Sequence, residues 1–106
     1  MKAEMLRFLG LIRRAGRLSA GEAGTGQAVR AGKARLILLA NDASENALDR
    51  AAGFSRRAQI PMFRVKADKA ELADALNVTG GAMAAVCDEG FAHALIEKFP
   101  EDLERI

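Results

Sequence analysis

The sequence predicts an α/β fold: a three-layer α/β/α sandwich around a small, mixed, mostly parallel sheet of four strands, one of them very short. Three observations predict it. Apolar runs of strand length alternate with stretches of helical periodicity. The run Leu36-Ile37-Leu38-Leu39-Ala40 carries no polar residue, as a strand covered by helices on both faces requires. And 106 residues suffice for one core but not two, which makes residues 1–106 a single domain.

The elements follow in order. Over residues 4–15, Met5, Phe8, Leu9, Ile12 and Ala15 recur at helical spacing, with Arg7 and Arg14 on the opposite face and Arg13 and Arg17 flanking it. Gly16-Arg17-Leu18 ends that helix and starts a short extended piece. A second helix runs from Gly21 to Ala31; Ser19-Ala20-Gly21-Glu22 has the form of a capping box, and Gly32 with Lys33 gives the stop. After the apolar strand, Asn41-Asp42-Ala43-Ser44 turns into a third helix, roughly 44–57, with Ala47, Leu48, Ala51, Ala52 and Ser55 on its apolar side. Pro61 to Val65 is a shorter strand whose leading proline favours an edge or a strand start. Asp68-Lys69-Ala70-Glu71 caps a short helix to Leu76. The loop Asn77 to Gly81 leads to a last apolar strand, Ala82 to Cys87, and Asp88-Glu89 opens a closing helix through Phe99, stopped by Pro100. Crossovers between parallel strands are expected to be right-handed.

Composition narrows the function. Five Phe with no Trp or Tyr do not make an aromatic platform for single-stranded bases. The one cysteine, Cys87, allows neither an intrachain disulfide nor a multi-cysteine zinc site, which suits a reducing compartment. Charges interrupt the apolar residues of the N-terminus, so neither a signal peptide nor a membrane span is expected; a cytoplasmic protein is. The formal charge of +2 conceals an asymmetry: residues 1–66 carry thirteen Lys/Arg against five Asp/Glu, and residues 67–106 carry three against nine. Such a chain can turn a basic face to a polyanion.

Catalytic constellations are missing. Gly21 to Ala28 has the glycine spacing of a phosphate-binding P-loop, but Gln27 and Ala28 stand where the lysine and the hydroxyl are needed. Those glycines weaken a helix. They serve either close packing against the sheet or an uncluttered helix start where backbone N–H groups meet a phosphate or a base edge. His93 reads as a surface or satisfied residue, and Cys87 as a small strand-end hydrophobe. Neither has a partner for nucleophilic or metal chemistry. No catalytic residue, metal site or cofactor is expected. Of the basic residues, Arg13, Arg14 and Arg17 precede the glycine-rich start and Arg30, Lys33 and Arg35 follow its end, while Arg56 and Arg57 complement a helix dipole.

The segment from Gly21 through Ser44, with Ala28-Val29-Arg30-Ala31-Gly32 and Lys33-Ala34-Arg35 leading into the apolar strand and Asn41-Asp42, resembles the ribosomal protein L-seven-Ae / L-thirty-e superfamily. Ile60-Pro61-Met62 and the stretch Leu72 to Gly81 agree, and Asp88-Glu89-Gly90-Phe91-Ala92 resembles its bacterial YlxQ-like subgroup. The resemblance implies a non-catalytic domain that binds kinked RNA through the start of the second helix. The family's Asn, Glu and Lys readers follow a glycine that is Gly21 here; they fall on Ala23, Gly24 and Gln27, and only Gln27 keeps hydrogen-bonding capacity. The resemblance also points to the Asn41-Asp42 turn and to the Val78-Thr79-Gly80 loop as contacts for unstacked bases. Glu22 belongs to the same expected RNA-contacting helix start, where its charge works mildly against phosphate unless it serves only the cap; phosphate contacts are expected from Arg14, Arg17, Arg30 and Lys33, with the steep salt dependence they bring. All these segments are expected to meet at one end of the sheet, flanked by Arg and Lys.

The expected partner is therefore RNA, ribosomal or otherwise structured, with ribosome or translation-factor association possible; no membrane partner is expected, and a monomer is the simpler oligomeric state. Two rivals stay open: a protein-interaction module of the same fold that has lost RNA reading, and a small-ligand or enzymatic role at the glycine-rich turn.

Overall fold

The computed structural model describes residues 2–106. In chain order its elements are α1 (Lys2–Arg14), β1 (Leu18–Ala20), α2 (Gly21–Arg30), β2 (Leu36–Leu39), α3 (Glu45–Ala58), β3 (Met62–Val65), α4 (Lys69–Leu76), β4 (Met83–Val86), α5 (Glu89–Lys98), a 3-10 turn (Pro100–Asp102) and β5 (Leu103–Arg105). The strands form one sheet in the order β1-β4-β2-β3-β5.

The alternation of side chains along the central strands produces the three layers. In β2 and just beyond it, Leu36, Leu38 and Ala40 face one core with Met5, Leu9 and Ile12 of α1, Leu72 and Leu76 of α4, and Leu95 of α5. Ile37 and Leu39 face the other, with Ala28 and Val29 of α2 and Ala51 of α3. Strand β4 divides the same way, Ala84 and Val86 to the first core and Met83 and Ala85 to the second. The unbroken apolar run of β2 is thus a strand buried on both faces, as its composition required.

Two features of the sheet differ from expectation. It has five strands instead of four, and only β2–β3 is parallel; β1–β4, β2–β4 and β3–β5 are antiparallel. Where the chain turns back into β4, antiparallel to β2, Gly81 lies directly against α4. A Cβ there would collide with the carbonyl oxygen of Lys69 and stand 2.7 Å from the backbone nitrogen of Ala73. The chain leaves β3, runs out along α4 and is folded back onto the first turns of that helix, so β4 starts at the end where β3 finished. Strand β5 has one apolar residue among charges, too short a pattern to register as a strand, yet it pairs Leu103 with Val65 and covers the outer edge of β3.

Among the described residues, the starts of α3, α4 and α5 follow local chemistry, and that of α2 does not. Ser44 caps α3, Asp68 and Glu71 form a capping box on α4, and Asp88 caps α5. The exception is α2, where the anticipated Ser19 capping box does not form. Ser19 lies inside β1 opposite Ala85, its hydroxyl 3.9 Å from the Cys87 sulfur, and Ala20 occupies the cap position without a side-chain bond. The start of α1 is tied to α4 instead, Lys2 Nζ lying 2.7 Å from Glu71 Oε2. The hydrogen bond with Lys2, then that from the Asp68 backbone, holds the Glu71 carboxyl below its ordinary range.

Within α2, Thr25 is fully buried and its hydroxyl has no hydrogen-bond partner among the described residues. An unpaired buried hydroxyl costs on the order of 1–3 kcal/mol in desolvation. Thr25→Val, which keeps the shape and removes the hydroxyl, is expected to stabilise the fold by about 1 kcal/mol, read as a rise in Tm of at least about 4 °C. A fall in Tm would mean that the hydroxyl is satisfied. Among the described residues no helix is long and apolar enough to cross a membrane.

Candidate nucleic-acid interface

Strands β1, β2 and β3 end, and β4 begins, at one rim of the sheet: Ala20 lies opposite Ala84, Leu39 opposite Met83, and Leu39 beside Arg64. Four connections therefore meet there, the start of α2, the 41–44 turn, the 66–68 corner and the 77–82 loop. Backbone hydrogen bonds knit them together, from Ala40 N to Ala82 O and from Asn41 N to Ala67 O, each 2.9 Å.

Gly21, with φ +83°, makes the turn from β1 directly into α2, a conformation that L side chains rarely adopt. A Cβ on it would come 3.8 Å from the carbonyl oxygen of Gly80, so the helix start and the loop before β4 are neighbours. Glu22, which could have served as an acidic lid on this helix end, instead reaches Arg50 of α3 at 3.0 Å. Among the described residues, no side chain caps the first turn of α2. Ala23 and Gln27, one turn apart, are both exposed on that face. Gly26 serves packing, since a Cβ on it would lie 3.2 Å from the Phe54 ring, whereas a Cβ on Gly24 would make only ordinary contact with Ser19 at 3.5 Å.

Asp42 has a structural duty that the sequence did not reveal. Its Oδ1 accepts from the backbone N–H of Lys69 at 2.8 Å, adding a second cap to α4 across 27 residues. This fixes the 41–42 turn beside the α4 start and brings exposed Lys69 to the rim; Asn41 is exposed as well. In the loop, Val78 packs against the first core and donates to Ala73 O at 2.9 Å, leaving Thr79 and Gly80 exposed.

The cations do not all gather at this rim. Arg17 lies at the opposite end of the sheet, where its carbonyl accepts from Cys87 N at 2.8 Å. Lys33 is there too, lining with Gly16, Gln27 and Cys87 a shallow recess of about 270 Å³. Arg30 folds back along α2, its guanidinium next to Gly26. The ten residues of α2 separate the two ends by roughly 15 Å at the α-helical rise per residue. Arg14 stands elsewhere, beside Asn77 where α1 meets the end of α4. The structure therefore brings together Gly21, Glu22, Ala23, Gly24, Asn41, Asp42, Val78, Thr79 and Gly80. It sets Arg17, Arg30 and Lys33 at the far end of α2, with Gln27 on the exposed face that joins the two groups.

The family model described as "Ribosomal protein L7Ae/L30e/S12e/Gadd45 family" matches residues 3–96. The chain belongs to the L7Ae/L30e/S12e/Gadd45 family. It is similar to the "RNA-binding protein YlxQ" of Bacillus subtilis (strain 168), 31% identical over 93 residues, which are 88% of this chain and 92% of that protein. Among solved structures it is similar to a protein with unknown function from Bacillus halodurans C, with TM-score 0.77, 29% identity, and coverage of 90% of this chain and 95% of the other. The L7Ae-family match takes in every element of the rim and most of α5, and stops before the 3-10 turn and β5.

Proposed function

We propose that this chain binds structured RNA, ribosomal or kink-turn-like, in the cytoplasm, with the α2 start and the two loops beside it as its contact face. The observation that carries the reading is an exposed helix start that no side chain caps among the described residues, set against the Gly80 carbonyl and the Asn41-Asp42 turn. Bare backbone donors at a positive helix end accept phosphate or the acceptor edge of a base. Gln27 adds one side chain that both donates and accepts. Arg30, Lys33 and Arg17 continue the surface down α2 as a track for a phosphate backbone, and Arg14 does so beside the 77–80 loop. Membership of a family described by its ribosomal proteins and similarity to a relative named for RNA binding support the same reading.

The test is a gel-shift series against a kink-turn RNA, the same RNA with its G·A pairs disrupted, and a plain duplex, each at several salt concentrations. Binding is expected to weaken steeply with salt. The double variant Arg17→Gln/Lys33→Gln is expected to flatten the log–log salt slope by about 2, one for each phosphate contact removed, while leaving Tm unchanged. Absence of binding to all three RNAs at low salt would overturn the proposal.

A further inference from the structure

Past Asn41, on the side away from α2, the rim opens into a recess of about 590 Å³ whose lining residues other than Asn41 lie outside the RNA face described above. Its size lies within the range of about 300–1,000 Å³ usual for small-ligand sites. Asn41, Arg64 and Lys66 line it from the sheet side, and Pro100, Glu101 and Glu104 from the turn and strand that close the chain. That second wall lies outside the family match, which ends at residue 96. It is nevertheless fixed to the sheet: Lys66 N donates to Asp102 O at 2.9 Å, and Arg64 and Val65 pair with Glu104 and Leu103.

The charges select the occupant. Two cations and two carboxylates share the recess with one amide. Arg64 Nη1 and Glu104 Oε1 are 3.6 Å apart, with both side chains partly exposed; so loose a surface pair contributes little and yields readily to a ligand. A bare phosphate would face both carboxylates, and a bare cation would face Arg64 and Lys66. A nucleotide satisfies both sets, its phosphate on Lys66 and Arg64 and the amino group of its base on Glu101 or Glu104. Pro100 supplies apolar surface for the base. Because Asn41 belongs to the rim and to the recess alike, an RNA lying on the rim can extend a residue into it. We propose that the recess takes one unstacked nucleotide of the bound RNA, with a base that carries an exocyclic amino group; the proposal rests on the RNA-binding reading above.

The experiment is nuclear magnetic resonance of the isotope-labelled full chain titrated with AMP, GMP, CMP and UMP. The amides of Lys66, Glu101 and Glu104 are expected to shift saturably with the first three nucleotides, and UMP is expected to bind several-fold more weakly. Lys66→Glu should weaken binding by about tenfold, as loss of a charge-assisted bond implies. Glu101→Gln/Glu104→Gln should bring all four nucleotides to within about twofold of one another, since an amide binds an amino group less strongly than a carboxylate does. No response at these amides, or an equal response to all four nucleotides in the unsubstituted chain, overturns the proposal. The same samples titrated with the kink-turn RNA separate the two readings. If Ala23 and Gln27 shift while the recess stays silent, the nucleotide pocket fails and the RNA face stands. If nothing shifts, both fall. A recess that answers mononucleotides while α2 ignores RNA is a free-nucleotide site and overturns the proposed continuity.

Discussion

Gly81→Ala is expected to cost about 2–4 kcal/mol of stability, since overpacking against backbone has no cheap relief. The added methyl would meet the Lys69 carbonyl oxygen, Ala73 N at 2.7 Å and Leu72 Cβ at 3.2 Å. The first two are parts of a helix that is doubly capped and packed on α1, so they do not yield as the tip of a flexible side chain does. What yields is the 77–82 loop, and with it the start of β4. Thermal unfolding should show a Tm lower by about 10 °C or more, at the usual ~4–8 °C per kcal/mol for a domain of this size. RNA affinity should fall too, because the loop carries Thr79 and Gly80. Gly80→Ala is the control: a Cβ there meets nothing within 4 Å, so its Tm should stay near that of the unsubstituted chain. Equal Tm values for the two variants would show that the loop does not press on α4.

The second large effect concerns selectivity. Family resemblance assigns the three reader positions to Ala23, Gly24 and Gln27, and the structure has room for larger side chains at each. Ala23 and Gln27 are exposed, and a Cβ on Gly24 makes only ordinary contact with Ser19 at 3.5 Å. The triple variant Ala23→Asn, Gly24→Glu, Gln27→Lys is therefore expected to fold at least as well, with a helix gain of up to ~1 kcal/mol from removal of a glycine. Paired donor–acceptor contacts to base edges are each worth about 1–3 kcal/mol of discrimination. Preference for an RNA with intact G·A pairs over its disrupted counterpart should rise by about ten- to a hundredfold. Competition binding reads this ratio directly. An unchanged ratio in a variant with an intact Tm would remove the α2 start from the reading face.

Much of the architecture was legible because it rests on local pattern. The apolar run of β2 and the Asp68–Glu71 cap each act within a few residues, and each formed where it was read; Ser44 and Asp88, read only as the places where helices begin, cap α3 and α5. The direction of β4 was not legible, because it goes with the return of the chain against α4 at Gly81, a contact with residues eight to twelve positions back that no local pattern announces. Strand β5 was missed since three residues with one leucine carry no period. Ser19 misled for a related reason: its spacing suits a cap, but pairing with β4 claims it for the sheet. The same division holds for the interface. Gly21 and the two loops could be nominated from sequence, whereas the Glu22–Arg50 pair and the bond from Asp42 to α4 join residues whose proximity only the fold creates. The spread of cations along α2 was hidden too, because residues close in sequence to a helix start can lie at the far end of the strand before it, as Arg17 does.

Strand β5 has one more effect, on behaviour at high concentration. With it in place the sheet is bordered on both sides by strands of only three residues, β1 and β5. An extended stranger aligning itself there finds few free amide and carbonyl groups, and on the β5 side it meets Glu104 and Arg105 as well. Long, flat, apolar margins are what allow folded molecules to stack edge to edge into fibres. A sheet whose longer strands all lie inside offers no such template, so crowded copies of this molecule have little to polymerise upon.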